Sequence, residues 1–313
     1  MPVAHAGETN TAAATSNATS NATIPTVEYG AYQGTSFGAY LAPLASETGD
    51  FIDADGGVDL VFHFNAALLA EKSWRRSDAN AVIVSQAFST FGSGPYEDAY
   101  ADQARFGRMI TEVLGRIRAS EGASRPHLDA LHARRITLVG WSAGCAAISA
   151  ILAVPRYFQM VDSVILLDGL HAQYKLRPGE AKRTSMGATR VNVGQLATLL
   201  RFAREAMEGK KQMVVTHTSI LTPDYASTTE TSDALVHELP LANAATDDTM
   251  FGMHLRTRAH QKNLHVLGFT GAGPDDHMKH LHSVGDVVRT WVTPRLMLLA
   301  TEEREQRAQR ASR

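Results

Sequence analysis

The chain has 313 residues, 44% hydrophobic and 20% charged, enough for one or two domains with a sizeable core. Thirty Lys and Arg against 32 Asp and Glu leave a net charge of −2, which argues against a whole-protein basic footprint for nucleic acid. A single cysteine, Cys145, excludes an internal disulfide framework and a paired-cysteine zinc site. No apolar run reaches the 18 or so residues a membrane helix needs, so no membrane span is expected. The N-terminus lacks a positive and then apolar leader, and the expectation is a cytoplasmic protein.

Residues 1 to 24 are mostly Ala, Thr, Asn and Ser and read as a disordered tail, because such a segment buries too little to offset its ordering entropy. Asn17 and Asn21 sit in glycosylation-type triplets that this composition alone explains. From 25 to 300 the pattern is that of one domain, with a charged tail over 301 to 313. Val27–Tyr32 and Phe37–Leu41 look like a strand pair. Val58–Phe62 is a strand, Ala66–Lys72 a helix, and Asn80–Ser85 a strand. Tyr100–Ser120 carries apolar residues at helical spacing. Arg135–Val139 is a strand and Ala143–Leu152 a helix. Ser163–Leu167, Met213–Ile220 and Leu264–Phe269 are strands. Gly194–Glu208 is a helix, and a last helix runs over Val284–Leu299, interrupted near Pro294. Short apolar strands alternating with amphipathic helices predict an α/β fold, with a mainly parallel sheet covered on both faces. Function in such sheets sits in the loops after the strands.

One of those loops carries a sharp motif. The strand Arg135–Val139 runs into Gly140-Trp141-Ser142-Ala143-Gly144, and a small-residue helix follows at once. Gly-x-Ser-x-Gly between strand and helix is the nucleophile-elbow pattern. The tight turn lifts the serine hydroxyl to the top of the sheet, and the next N–H, at a helix start, faces developing negative charge. Cys145 follows the elbow and is expected to point into helix packing.

Here the chain resembles the α/β-hydrolase superfamily of serine esterases and lipases. The element order carries the resemblance over most of residues 27 to 300. It implies an α/β-hydrolase-type sheet and a Ser–acid–His triad in that chain order. It puts the base after the final strand, in Gly271-Ala-Gly-Pro-Asp-Asp-His277-Met-Lys-His280-Leu-His282. His277 is the preferred base, with His280 and His282 as alternatives. A histidine titrates near neutral pH and so can take and return a proton. The acid must hold the base's other ring nitrogen. Asp168 abuts four apolar residues and needs a partner for its charge, so it leads. Asp224 and Glu230, one strand later, are the alternatives. The resemblance places the oxyanion hole at the N–H of Ala143 and at Phe64 or Asn65, although the glycines common there are missing. His63 reads equally as a buried, hydrogen-bonded histidine.

Phe88–Ala101 looks like a pocket wall rather than a nucleotide cradle. The stretch 171 to 193 holds Lys175, Arg177, Lys182, Arg183 and Arg190, and reads either as a lid favouring an anionic or polar substrate or as a solvated loop. The expectation is thus a serine hydrolase acting on a small-molecule ester or amide through an acyl-enzyme, with no cofactor and no metal. A non-catalytic binding protein on the same fold is the alternative. A metal hydrolase built on His277, His280 and His282 is a third reading, less favoured because the spacing matches no familiar ligand pattern.

Overall fold

The computed structural model describes residues 23–44, 50–88, 92–121, 128–223 and 225–312. The stretch read as a disordered tail therefore lies, but for its last two residues, outside the described residues. Asn17 and Asn21 fall there too.

The chain opens with a hairpin, β1 (Gln33–Thr35) and β2 (Gly38–Leu41), followed by β3 (Gly57–Phe64) and the short α1 (Glu71–Trp74). Next come β4 (Val82–Gln86), α2 (Gly94–Ala101) and α3 (Arg105–Glu121). β5 (His132–Trp141) leads through a single 3-10 turn into α4 (Cys145–Leu152), α5 (Pro155–Met160) and β6 (Val161–Leu167). α6 (Ala197–Met207), β7 (Gln212–Thr218) and α7 (Thr228–His237) precede an antiparallel pair, β8 (Ala244–Met250) and β9 (Met253–Gln261). β10 (Leu264–Phe269), α8 (Pro274–His282), α9 (Val284–Val287) and α10 (Thr293–Ala311) complete the described chain.

All ten strands form one sheet, in the order β1-β2-β4-β3-β5-β6-β7-β10-β9-β8. The central run from β4 to β10 is parallel, and both edges are antiparallel. This is the α/β class and the mainly parallel sheet with helices on both faces expected from the sequence. The parallel strands are buried on both faces, so they read as largely apolar runs, with buried polar residues such as Asp59, His63 and His217 among them. Alternation decides which face each side chain serves. Leu60, Phe62 and Phe64 of β3 and Val164 and Leu166 of β6 pack with α3, α4 and α6. Val61, Ile165 and Leu167 pack on the other face with Trp74, Val284, Val288 and Leu296. The chain goes from β3 to β4 on one side and then returns to β5 on the other. That reversal opens a crevice at the carboxyl ends of β3 and β5, where ligands of open α/β sheets bind.

Several elements differ from the sequence reading. The first strand of the hairpin is displaced from Val27–Tyr32 to Gln33–Thr35. Part of the Phe88–Ala101 stretch is helical, because Pro95 sits in the first turn of α2, where its missing N–H costs nothing. The break near Pro294 is a π-helical turn over Val288–Val292, after which Pro294 opens α10. The charged C-terminal stretch continues as helix to Ala311, and Arg307 pairs with Asp53 and Asp55 while Glu303 pairs with the buried Arg135. Among the described residues no helix is long and apolar enough to cross a membrane.

Three histidines are packed inside. The His63 Nδ1 accepts from the Trp74 indole at 2.9 Å, the His217 Nδ1 meets the Thr229 hydroxyl at 3.0 Å, and the His280 Nδ1 meets the Thr216 hydroxyl at 2.7 Å. Burial pushes His63 and His217 down to about 3, the latter helped by the Arg256 cation, and burial pushes His280 down to about 4. In the unfolded chain each takes a proton near pH 6.5, whereas the folded protein refuses it until far lower pH. Their stabilisation is complete above pH 6.5 and is lost as the pH falls toward 4. The free energy of urea unfolding is therefore expected to fall between pH 6.5 and 4.5, by up to about 1.4 kcal/mol per pH unit for each histidine. A flat profile over that window would contradict this account.

Candidate active site

The elbow sits at the carboxyl end of β5. Trp141 is still extended, and Ser142 turns into the left-handed region with φ 52°. Such a conformation costs a non-glycine residue about 1–3 kcal/mol and persists only where the surroundings dictate it. They do so by close approach. A Cβ on Gly144 would stand 2.2 Å from the carbonyl oxygen of Phe64, and one on Gly169 would stand 2.4 Å from that of Ser142. The elbow is thus wedged between the ends of β3 and β6. Cys145 points inward and donates its Sγ proton to the Gly140 carbonyl at 3.3 Å, while burial pushes its thiol far up.

β6 ends one residue before Asp168, which also has a left-handed backbone, with φ 43°. Its carboxylate is buried and fully engaged. Oδ1 accepts from the Thr218 N–H at 2.9 Å and the Thr228 hydroxyl at 2.6 Å. Oδ2 accepts from the Thr218 hydroxyl at 2.9 Å and meets the His277 Nδ1 at 2.6 Å. Burial opposes its charge, but the hydrogen bond from His277, the neighbouring His280 and the Thr228 hydroxyl outweigh burial and hold the carboxyl well below the usual carboxylate range. It is an anion with one imidazole and two threonines as its donors.

His277 lies in the first turns of α8. Trp141 fixes it twice over. The indole N–H donates to the His277 carbonyl at 3.1 Å, and the two rings lie 4.6 Å apart at 31°. The other two histidines of α8 face elsewhere: His280 is in the core, edge-on to Phe269, and His282 is exposed. Among the described residues no three His, Cys, Asp or Glu side chains converge as a metal would require. Glu230 is committed to structure. It completes a capping box with Ser227 at the start of α7 and accepts from the Tyr174 hydroxyl at 2.7 Å and the Gly187 N–H at 2.6 Å. Asp224 lies outside the described residues.

The turn after β3 abuts the elbow. Asn65 and Ala66 both have positive φ. The Asn65 N–H donates to the Gln86 carbonyl at 2.8 Å, so that backbone group is already taken, and the Asn65 side-chain amide donates to the Trp141 carbonyl at 3.2 Å. His63 is the buried, Trp74-bonded histidine described above.

Ser142 stands where two cavities meet. A smaller one of about 250 Å³ is lined by Asp168, His277, Thr218 and Pro274 among others. A larger one of about 860 Å³ runs along α4 and is bounded by Glu97, Tyr100 and Ala101 of α2. The Phe88–Ala101 stretch thus contributes a wall through its helix. Of the segment 171 to 193, only His171, Ala172 and Gln173 line either cavity. None of the five basic residues lines either cavity, but Lys182 stands just behind the larger one, its Nζ donating to the side-chain oxygen of the lining residue Gln173 at 3.2 Å, while Arg190 pairs with Glu180. His171, Tyr225 and Ser142 border both cavities, and burial pushes His171 down to about 4. Sequence reasoning missed Trp141, Gly169, His171, Thr218 and Thr228. A residue beside a nucleophile motif and hydroxyls at the start of the next strand loop were the available signals.

No protein-family model matches the chain, and no curated protein matches its sequence. Among solved structures the chain is similar to a poly(3-hydroxybutyrate) depolymerase from Bordetella parapertussis, with a TM-score of 0.41 and 14% identity over 77% of this chain and 81% of that one. It is also similar to an esterase of Pyrococcus furiosus, with a TM-score of 0.37 and 8% identity over 85% of this chain and 93% of that one.

The Asp168 carboxylate gives a direct mutational expectation. Thr228→Val keeps the shape but removes a donor from a buried anion, and should lower stability by about 1–3 kcal/mol in urea unfolding. A loss below about 0.3 kcal/mol would mean that this hydroxyl does not hold the carboxylate.

Proposed function

We propose that the chain is a serine hydrolase that cleaves a carboxylic ester, or an amide, through an acyl-enzyme. The observation that carries this reading is the 2.6 Å contact between His277 and the buried Asp168 anion, at a cavity that also exposes Ser142 on a left-handed turn. In this reading Ser142 is the nucleophile and His277 the general base. Asp168 fixes the ring orientation and tautomer, so that Nδ1 carries the proton and Nε2 can accept one, and it stabilises the imidazolium formed in the transition state.

Attack forms a bond from the Ser142 oxygen to the acyl carbon, and the hydroxyl proton passes to His277. The bond to the leaving group then breaks, and that group takes the proton from His277. Water repeats the sequence on the acyl-enzyme and releases the acid. The developing oxyanion is met by the Ala143 N–H at the helix start. The second donor is expected from Phe64 or Asn65, but the Asn65 N–H is held by the Gln86 carbonyl, so in this reading the role passes to the next backbone N–H, that of Ala66. Support also comes from the exclusion of Cys145, whose thiol is buried and kept protonated.

The test is kinetic. Ser142→Ala should cut kcat on a simple ester by about 10⁶-fold. Asp168→Asn should cut it by about 10⁴-fold, because an amide at that position favours the wrong tautomer. His280→Gln should retain far more activity than His277→Gln. Turnover that survives Ser142→Ala would refute the proposal.

A further inference from the structure

Two cavities meet at Ser142, and the groups that line them are not equivalent. His277 lines only the smaller one, and Ala143 lines only the larger one. This inference rests on the serine-hydrolase reading. In that chemistry the acyl carbon stays bonded to Ser142 while the leaving oxygen must be reached by the proton on His277. The leaving group therefore departs on the side that His277 faces. We propose that the smaller cavity takes the alcohol and the larger groove takes the acyl group, so that the substrate class is an ester whose bulk and polar groups lie on the acyl side, with a smaller alcohol.

The volumes set the sizes. The alcohol side offers about 250 Å³, with Ile220, Thr222 and Pro274 among its walls. The acyl side offers about 860 Å³. Its floor is α4, and the lining runs from Ser142 to Ala153, which at 1.5 Å per residue is roughly 16 Å of helix. Ala146, Ala150 and Ala153 keep that floor low, so a chain can lie along it.

The lining also sets polarity. Ser149, Gln173 and Gln195 make the groove's lining partly polar; the Gln173 and Gln195 side-chain oxygens accept from Lys182 and from the Gln173 N–H, which leaves the Ser149 hydroxyl and the two amide NH2 groups to meet a polar acyl group. Among the described lining residues Glu97 is the one carboxylate, and no lysine or arginine is among them, although Lys182 reaches the lining residue Gln173.

The experiment uses the full chain and two esters that exchange bulk across the scissile bond, followed by acid release at constant pH. Ethyl N-acetylphenylalaninate places its bulk and its amide on the acyl side, and 2-phenylethyl acetate places its bulk on the alcohol side. The expected kcat/KM is at least ten-fold higher for the first. Ala150→Phe, which raises the floor of the groove, should shrink that ratio ten-fold or more. Equal rates, the reverse order, or a ratio unmoved by Ala150→Phe would overturn the assignment. So would failure to cleave either ester by a protein whose Ser142 still takes a fluorophosphonate adduct. Absence of that adduct would instead overturn the hydrolase reading beneath it.

Discussion

The site depends on one buried anion. Asp168 is held by donors from three separate elements: Thr218 at the end of β7, Thr228 at the start of α7 and His277 on α8. An ionised carboxylate placed in a protein interior is costly unless it is paired and hydrogen-bonded. Here the cost is met by groups that can converge only when β6, β7, α7 and α8 are in register. The same contacts that keep the charge tolerable also aim the imidazole. Fold and site therefore share an energetic requirement, and loosening any of the three elements frees both the anion and the ring.

The elbow supplies the second constraint. Ser142 is held in a left-handed conformation because the ends of β3 and β6 press against it from two sides, at Gly144 and Gly169. Trp141, next to it, locks the His277 backbone and covers the ring. Strain at the serine and placement of the histidine are thus linked through adjacent residues of β5. The reversal of strand order between β3 and β5 makes the crevice into which they point. What lies along that crevice, a floor of alanines with polar walls, is a property of α4, of α2 and of the segment after Asp168.

Much of this is legible in the sequence, for physical reasons. Parallel strands buried on both faces give apolar runs, and Asp168 stands out because a carboxylate ends such a run. The elbow is legible because glycine is required on both sides of the turn. Other parts carry no such mark. β8 reads Ala-Ala-Thr-Asp-Asp-Thr-Met; as an edge strand with both faces largely exposed it shows no apolar alternation. α7 is rich in Thr and Ser, yet Thr228 and Thr231 are buried with their hydroxyls bonded to Asp168 and to the Leu170 carbonyl, and Ser227 caps the helix. Thr218 and Thr228 hold the acid from 50 and 60 residues away, a spacing that only the sheet order makes short. The turn after β3 lacks the glycines that would have flagged it, and its Asn65 N–H is bound by the neighbouring strand.

The central claim is that this arrangement activates Ser142. It is tested most directly by treating the intact protein with a fluorophosphonate and mapping the adduct by peptide mass. The account predicts one adduct per chain, located on Ser142, and strongly slowed labelling in Asp168→Asn protein that remains folded. An unlabelled wild-type protein, or an adduct at any other residue, would contradict it.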